Sequence, residues 1–265
     1  MSLAQAVVLG IVQGLTEFLP VSSSGHLVLG EALLGLRLPG VFFEVVLHVA
    51  TLCAVLWVYR ARVGRLVSGV LRGEGESWRY LLLLALASIP AGLAGTLGQD
   101  FFEGMFGRPT AAAAFLLVTG VLVWSVRRTG GSGTADVPGA GQALWIGIAQ
   151  AVAIFPGISR SGATVAAGAW RGVRVVPLAE FSFLLSVPAI AGAAILQLGD
   201  VGSVAAAGGL GPAAAGFAAA LGSGIFAIRL FVRMLERRSF HRFGVYCWIA
   251  GSAYLLASLL VPSLR

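Results

Sequence analysis

Six long apolar runs, at 41–59, 80–98, 110–127, 178–198, 212–231 and 243–262, constrain this 265-residue chain more than any other feature. About 20 apolar residues in helical form cross the hydrocarbon core of a bilayer, so each run predicts a transmembrane helix. The composition agrees: 58% of residues are hydrophobic and 11% are charged, against about 25% charged in a soluble domain. A soluble globular fold is excluded. The net charge of +7 is not carried on any long polar stretch, so neither a disordered segment nor a nucleic-acid partner is expected. The many small residues, 37 of them glycine, read as close helix packing in lipid. Cys53 and Cys247 sit in apolar runs and read as small buried hydrophobes rather than a disulfide or metal pair. The N-terminal MSLAQAVVLGIVQGLTEF lacks a basic leader region and a cleavage site, so it is read as part of the fold.

Two further apolar regions, 2–36 and 142–170, are broken near the middle by LPVSSSGH and FPGISRSGAT. Each predicts a pair of short helices folded back on itself. Non-helical backbone at membrane depth survives only where protein buries it or it lines a polar cavity, so these breaks mark candidate sites. Arginines orient the spans. Arg60 to Arg79, Arg127 and Arg128, Arg171 and Arg174, and Arg229 to Arg242 fall on one side, which the positive-inside rule makes cytoplasmic. Asp100, Glu103 and Asp200 fall on the other side, which places both termini outside.

The halves resemble each other. QGLTEFLPVSSSG from Gln13 matches QAVAIFPGISRSG from Gln150, and FEVVLHVA around Glu44 matches EFSFLLSVPA around Glu180. Each repeat is one broken hairpin plus three spans, and three is odd, so the second copy enters the membrane upside down. The expectation is an all-α integral membrane protein with six transmembrane helices and two re-entrant helix hairpins. These form two inverted-topology repeats, about 1–130 and about 140–265, within a single membrane domain 1–265. In such repeats the broken helices meet near the midplane and form a binding site there.

At the first break, Pro20 ends the incoming half-helix, Ser22, Ser23 and Ser24 offer capping oxygens, and Gly25 lets the chain turn. The second break supplies Pro156, Gly157, Ser159, Ser161, Gly162 and Thr164, together with Arg160. A half-helix N-terminus is a ready anion site, and a guanidinium suits bidentate phosphate contact. An arginine at membrane depth is costly enough to need an anionic partner. Glu17 lies one turn after Gln13, facing the same tip, as a proton carrier, a metal ligand or the ion-pair partner of Arg160. His26 begins the next half-helix, where it suits general acid, general base or nucleophilic work. His48 with Glu44 reads as a hydrogen bond along a helix face, Glu180 as a packing or hydrogen-bonding partner, and His241 as cytoplasmic and solvated. GISRSG lacks the strand and spacing of a hydrolase nucleophile elbow. No nucleotide or zinc motif occurs.

QGLTEFLPVSSSGH, followed by PGISRSGATVAAG, closely resembles the undecaprenyl-diphosphate phosphatases, also called bacitracin-resistance proteins. EFSFLLSVP and the GEGE segment from Gly73 to Glu76 are similar to the same family, so the resemblance covers essentially the whole chain. It implies a hydrolase of the bacterial cytoplasmic membrane, with its site facing outward, that removes the terminal phosphate of undecaprenyl diphosphate. The product is the lipid carrier for peptidoglycan and other envelope glycans. The implied cofactor is a divalent cation, Mg²⁺ or Ca²⁺, and the implied partners are the polyprenyl diphosphate and the membrane, with a homodimer left open. Motif for motif, Glu17 takes the family's second acidic position and its metal-holding role, Ser23 its hydroxyl position, His26 its histidine and Arg160 its arginine. Gln13 stands where many relatives have Glu. Gln13, Ser22, Ser24, Gly25, Gly157, Ser159, Ser161, Gly162 and Thr164 are then expected to line the phosphate site. Whether His26, Ser23 or water attacks phosphorus stays open. The rival reading is a polyprenyl-phosphate flippase, since inverted repeats with broken midplane helices are transporter architecture.

Overall fold

A computed structural model describes residues 1–34, 42–129, 133–196 and 210–261. The described residues hold twelve α-helices and one isolated bridge between Ala135 and Val173. The helices are α1 Leu3–Phe18, α2 Ser23–Leu34, α3 Phe42–Val58, α4 Arg60–Leu71, α5 Gly75–Leu97, α6 Gln99–Phe106 and α7 Pro109–Thr129. After these come α8 Ala140–Val152, α9 Arg160–Trp170, α10 Val175–Leu196, α11 Leu210–Glu236 and α12 Arg242–Leu260. The expected outer acid Asp200, and the predicted ends beyond 34, 196 and 261, lie outside the described residues.

Five helices, α5, α7, α10, α11 and α12, are long and apolar enough to cross a membrane. The remaining predicted span, 41–59, is α3, and it bends by 76° into α4 across Tyr59. The sequence suggests a loop after Tyr59. A helix forms instead because Leu66 and Gly69 supply a buried face while Arg60, Arg65 and Arg72 stay in the polar layer. At a rise of 1.5 Å per residue, α1 and α2 reach about 24 and 18 Å and α8 and α9 about 20 and 17 Å. All four fall short of the core thickness of about 30 Å. Both breaks therefore sit where the sequence puts them.

The exterior is apolar, and polar groups are kept inside, among a core that is itself mostly apolar. Leu82, Leu93, Val121, Phe226, Ile249 and Leu256 are exposed, while Gln13, Glu17, Thr51, Thr119, Gln150, Ser159, Thr164 and Ser186 are buried. That inversion suits a lipid solvent. Packing partners are exchanged along the chain: α1 lies against α11 and α8 against α5, and likewise α3 against α11 and α10 against α5. Small residues make these approaches close. A Cβ on Gly14 would overlap the Ala220 carbonyl and Ser223, and one on Gly147 would overlap the Ala87 backbone.

The arginine-bearing ends gather together. Arg62 pairs with Glu180 at 2.9 Å, and Arg127, Asp136, Arg174, Arg238 and His241 surround one cavity of about 600 Å³. Glu180 is thus a pairing residue, as the sequence suggests. His241 packs edge-on against Trp124 at 5.4 Å rather than standing free in solvent.

Candidate active site

The α1 helix stops at Phe18 because Pro20 cannot continue it, and Leu19 is already extended. Ser22 then takes φ +67°, a left-handed conformation that costs an L-residue about 1–2 kcal/mol. Two hydrogen bonds to its hydroxyl oxygen hold it there. The Gly25 N–H donates to Ser22 Oγ at 3.2 Å, capping α2, and the Gly157 N–H donates to the same oxygen at 3.1 Å from the other tip.

The second tip is built alike. Ser159 caps α9 by accepting from the Gly162 N–H at 3.1 Å, matching the role of Ser22. Ser22 and Ser24 hydroxyls lie 3.3 Å apart, and Ser159 and Ser161 hydroxyls 3.2 Å apart. Gly157, at φ +98°, makes the turn, and a Cβ on Gly25 would sit 3.0 Å from its Cα. The tips therefore touch backbone to backbone. Ser161 also donates to the Leu19 carbonyl at 3.3 Å.

Glu17 is the centre of the junction. Arg160 Nη2 donates to Oε1 at 2.5 Å, Ser23 donates to Oε2 at 2.5 Å, and Gln13 Nε2 donates to Oε2 at 3.1 Å. His48 Nε2 stands 3.9 Å from Oε2. The Glu17 side chain is 6% exposed and that of Arg160 is 16% exposed. A buried ion pair recovers its desolvation cost only when its remaining hydrogen-bonding capacity is met. Here two groups are left over. Arg160 Nη1 and Gln13 Oε1 are buried without a hydrogen-bond partner among the described residues. Each such group costs about 1–3 kcal/mol, which a fold bears where a ligand takes the group up. The free donor suits a phosphate oxygen. The free amide oxygen, one turn from a carboxylate, is the kind of hard ligand that Mg²⁺ or Ca²⁺ prefers. Among the described residues no three His, Cys, Asp or Glu side chains gather as a metal cluster, so the hard oxygens on offer to a divalent cation are those of Glu17 and Gln13.

His26 follows Ser23 by three positions, so the two share a face of α2. Its Nδ1 lies 2.8 Å from the Ser22 carbonyl and its Nε2 lies 2.8 Å from the Tyr246 hydroxyl. Among the described residues its recorded bonds go to these two groups, not to Glu17 or Arg160. Thr164 points away from the junction. It donates to the Arg160 carbonyl at 2.7 Å and meets the Ser182 hydroxyl at 2.6 Å, so it braces α9.

Three polar residues of the apolar spans also belong to the site. Thr119 Oγ1 accepts from the Ser159 N–H at 2.9 Å and donates to the Gly157 carbonyl at 2.7 Å, bridging the second turn. Tyr246 holds His26. Cys247 donates its thiol to the Pro20 carbonyl at 3.6 Å. Their signal in the sequence is a hydroxyl or thiol inside a run otherwise made of hydrocarbon. His48 hydrogen-bonds the backbone carbonyl of Glu44 at 2.7 Å, which leaves Nε2 turned towards Glu17.

Residues 6–253 match the family model described as bacitracin resistance protein BacA. An undecaprenyl-diphosphatase of Desulfosudis oleivorans is 42% identical over 95% of this chain and 97% of its own length. One of Methanobrevibacter smithii is 39% identical over 98% of the chain and 99% of its own. A third, of Rubrobacter xylanophilus, is 42% identical over 98% and 99%.

Proposed function

The chain belongs to the bacitracin resistance protein BacA family, and we propose that it is an undecaprenyl-diphosphatase whose reaction takes place at the junction of the two tips. Water and undecaprenyl diphosphate give undecaprenyl phosphate and inorganic phosphate, which recycles the carrier lipid and confers bacitracin resistance. The observation that carries this reading is the unmet donor of Arg160, buried beside Glu17 and Ser23. Binding alone needs a cation. Hydrolysis also needs a group that attacks phosphorus or takes a proton, and Ser23, bonded to Glu17, shares a helix face with His26.

The terminal phosphate lies against Arg160 Nη1. The charge that builds on its oxygens in the transition state is met by the guanidinium and by the N-terminal dipole ends of α2 and α9. In the resting site the Ser23 hydroxyl hydrogen-bonds to Glu17, and it turns its hydrogen to His26 where Ser23 is the attacking group. His26 Nε2 either attacks phosphorus or takes the proton of the attacking Ser23 or water. The bond between the terminal phosphorus and the bridging oxygen then breaks, and the bridging oxygen leaves with the lipid; where His26 or Ser23 has attacked, water then cleaves the phosphorus bond to that side chain and releases inorganic phosphate. Glu17 and the Gln13 amide oxygen would hold the divalent cation, Mg²⁺ or Ca²⁺, which would supply Lewis-acid neutralisation of the diphosphate charge. Ser22, Ser24, Gly25, Gly157, Ser159, Ser161, Gly162 and Thr164 keep the two turns in place around the phosphate.

The site opens to the outer face of the cytoplasmic membrane. Two features support this. Phe18, Phe183, Phe231 and Phe240 stack in succession at centroid distances of 5.5, 5.0 and 5.4 Å from beside Glu17 to the arginine-rich end. The Arg62–Glu180 pair closes that same end. The chain is one membrane domain of two inverted repeats, six spans and two re-entrant hairpins. The exchange of partners, α1 with α11 and α8 with α5, is the packing that such a pseudo-twofold axis produces.

The test is phosphate release from a purified, detergent-solubilised preparation given a long-chain prenyl diphosphate and Mg²⁺, with Glu17→Ala, His26→Ala and Arg160→Ala alongside. Release by the wild type and its loss in the variants support the reading. An inactive wild type, or three fully active variants, overturns it. The partner exchange also favours lipid-phosphate transport, and movement of prenyl phosphate across vesicles by a non-hydrolysing His26 variant would show it.

A further inference from the structure

We propose that Tyr246 is a positioning residue that aims His26 and reinforces the tautomer that the Ser22 carbonyl selects. The proposal rests on the phosphatase reading and adds to it a residue on the far side of the sequence, 220 positions from the histidine it holds.

The argument begins at the other nitrogen. The partner of Nδ1 is the Ser22 backbone carbonyl at 2.8 Å. A carbonyl only accepts, so Nδ1 carries the hydrogen. In the neutral imidazole Nε2 then holds the lone pair, and the Tyr246 hydroxyl at 2.8 Å donates to it. The two rings are nearly parallel, at 11° with centroids 5.7 Å apart, so the ring is fixed both by contact and by bonding. Both roles given to His26 in the proposed reaction, attack on phosphorus or removal of a proton from Ser23 or water, require that lone pair. A histidine with the opposite tautomer could perform neither of them.

Placement on α12 makes Tyr246 a rigid reference. The next residue, Cys247, is fully buried and donates to the Pro20 carbonyl at 3.6 Å. Consecutive residues of one helix thus hold the entry and exit of the first turn. The helix itself is locked to α7, where Gly120 and Gly244 face each other so closely that a Cβ on Gly120 would run into Trp248. That same α7 carries Thr119, which holds the second turn. The two turns are therefore referred to one helix pair. Tyr246 is also 45% exposed, and the bond from its hydroxyl gives way when Nε2 engages phosphorus or a proton.

The experiment compares wild type with Tyr246→Phe, which keeps the ring and removes only the hydroxyl. Phosphate release from a long-chain prenyl diphosphate with Mg²⁺ gives kcat and KM, and 15N NMR of histidine-labelled protein in detergent reads the His26 tautomer, assigned with a His26→Gln sample. The expected result is a kcat lower by about tenfold, with KM unchanged. The expected spectrum has wild-type His26 protonated at Nδ1 and the variant shifting to a tautomer mixture. A merely structural role for Tyr246 would leave the tautomer unmoved. An unchanged tautomer in Tyr246→Phe overturns the proposal whatever the rate does. So does an unchanged kcat. A wild type that releases no phosphate sinks the phosphatase reading, and the spectrum then still decides the Tyr246–His26 contact by itself.

Discussion

Arg160 and Glu17, 143 positions apart in the chain, meet at 2.5 Å through a single guanidinium nitrogen, which leaves Nη1 buried and unbonded among the described residues. Arg160→Lys keeps the charge beside Glu17 but cannot offer a second donor in the plane of a phosphate. Its phosphate release should fall by about 10²- to 10³-fold with little change in the thermal midpoint. Arg160→Ala should also lose stability, by about 3–5 kcal/mol, because it strands a buried carboxylate. Rate and melting measured on both variants separate the two effects. A wild-type rate in Arg160→Lys would contradict the role given to Nη1.

Gln13 makes the second prediction. Its Nε2 is spent on Glu17, and its Oε1 has no partner among the described residues. If that oxygen helps Glu17 hold a cation, chelation abolishes activity and Mg²⁺ or Ca²⁺ restores it. Gln13→Leu should then raise the metal concentration for half-maximal rate by about 10- to 100-fold. Gln13→Glu should lower it, since a second carboxylate binds a hard cation better than an amide does. Metal titrations of the three proteins decide the matter, and identical curves would remove Gln13 from the metal site.

Most of this site is legible in the sequence because membrane depth makes polar residues conspicuous. Glu17 and Arg160 stand out among hydrocarbon, and the Pro, Ser and Gly at each break announce turns that a spanning helix would not tolerate. Three things are not legible there. The bend at Tyr59 depends on how α4 packs, and a periodic Arg-rich stretch reads equally as a loop. The partnership of Thr119 with Gly157 and of Tyr246 with His26 joins residues 38 and 220 positions apart, and no local pattern reports such distances. Thr164 looks like one more phosphate hydroxyl. Its position four residues after Arg160 turns it back on its own helix, where the hydroxyl bonds the Arg160 carbonyl.

Thr119 itself yields a prediction that concerns architecture rather than chemistry. Its one hydroxyl serves the Ser159 N–H and the Gly157 carbonyl, and the residue is fully buried. Thr119→Val has nearly the same shape but strands both groups, at about 1–3 kcal/mol each. It should melt earlier and release phosphate more slowly, because the turn that aims Arg160 loosens. Thr119→Ser keeps both bonds and should behave as wild type. Equal melting of the Val and Ser variants would show that the turn holds without this bridge.

The direction in which the site opens is testable by labelling. Ser239 lies in the turn between α11 and α12, among Arg237, Arg238 and Arg242, while Gly104 lies on α6 between Glu103 and Met105. By the positive-inside rule the first is cytoplasmic. Arg127 lines the same cavity as Arg238, and α7, long and apolar enough to cross a membrane, separates it from α6, so Gly104 is expected outside. In a background with Cys53 and Cys247 replaced by alanine, a membrane-impermeant thiol reagent applied to intact cells should label Gly104→Cys. It should reach Ser239→Cys only after the membrane is opened. The aromatic stack from Phe18 to Phe240 lies on the Ser239 side of Glu17, so this result puts the seal inside and the substrate's approach outside. The reverse labelling would turn the phosphatase to face the cytoplasm, and labelling of both sites in intact cells would break the span count itself.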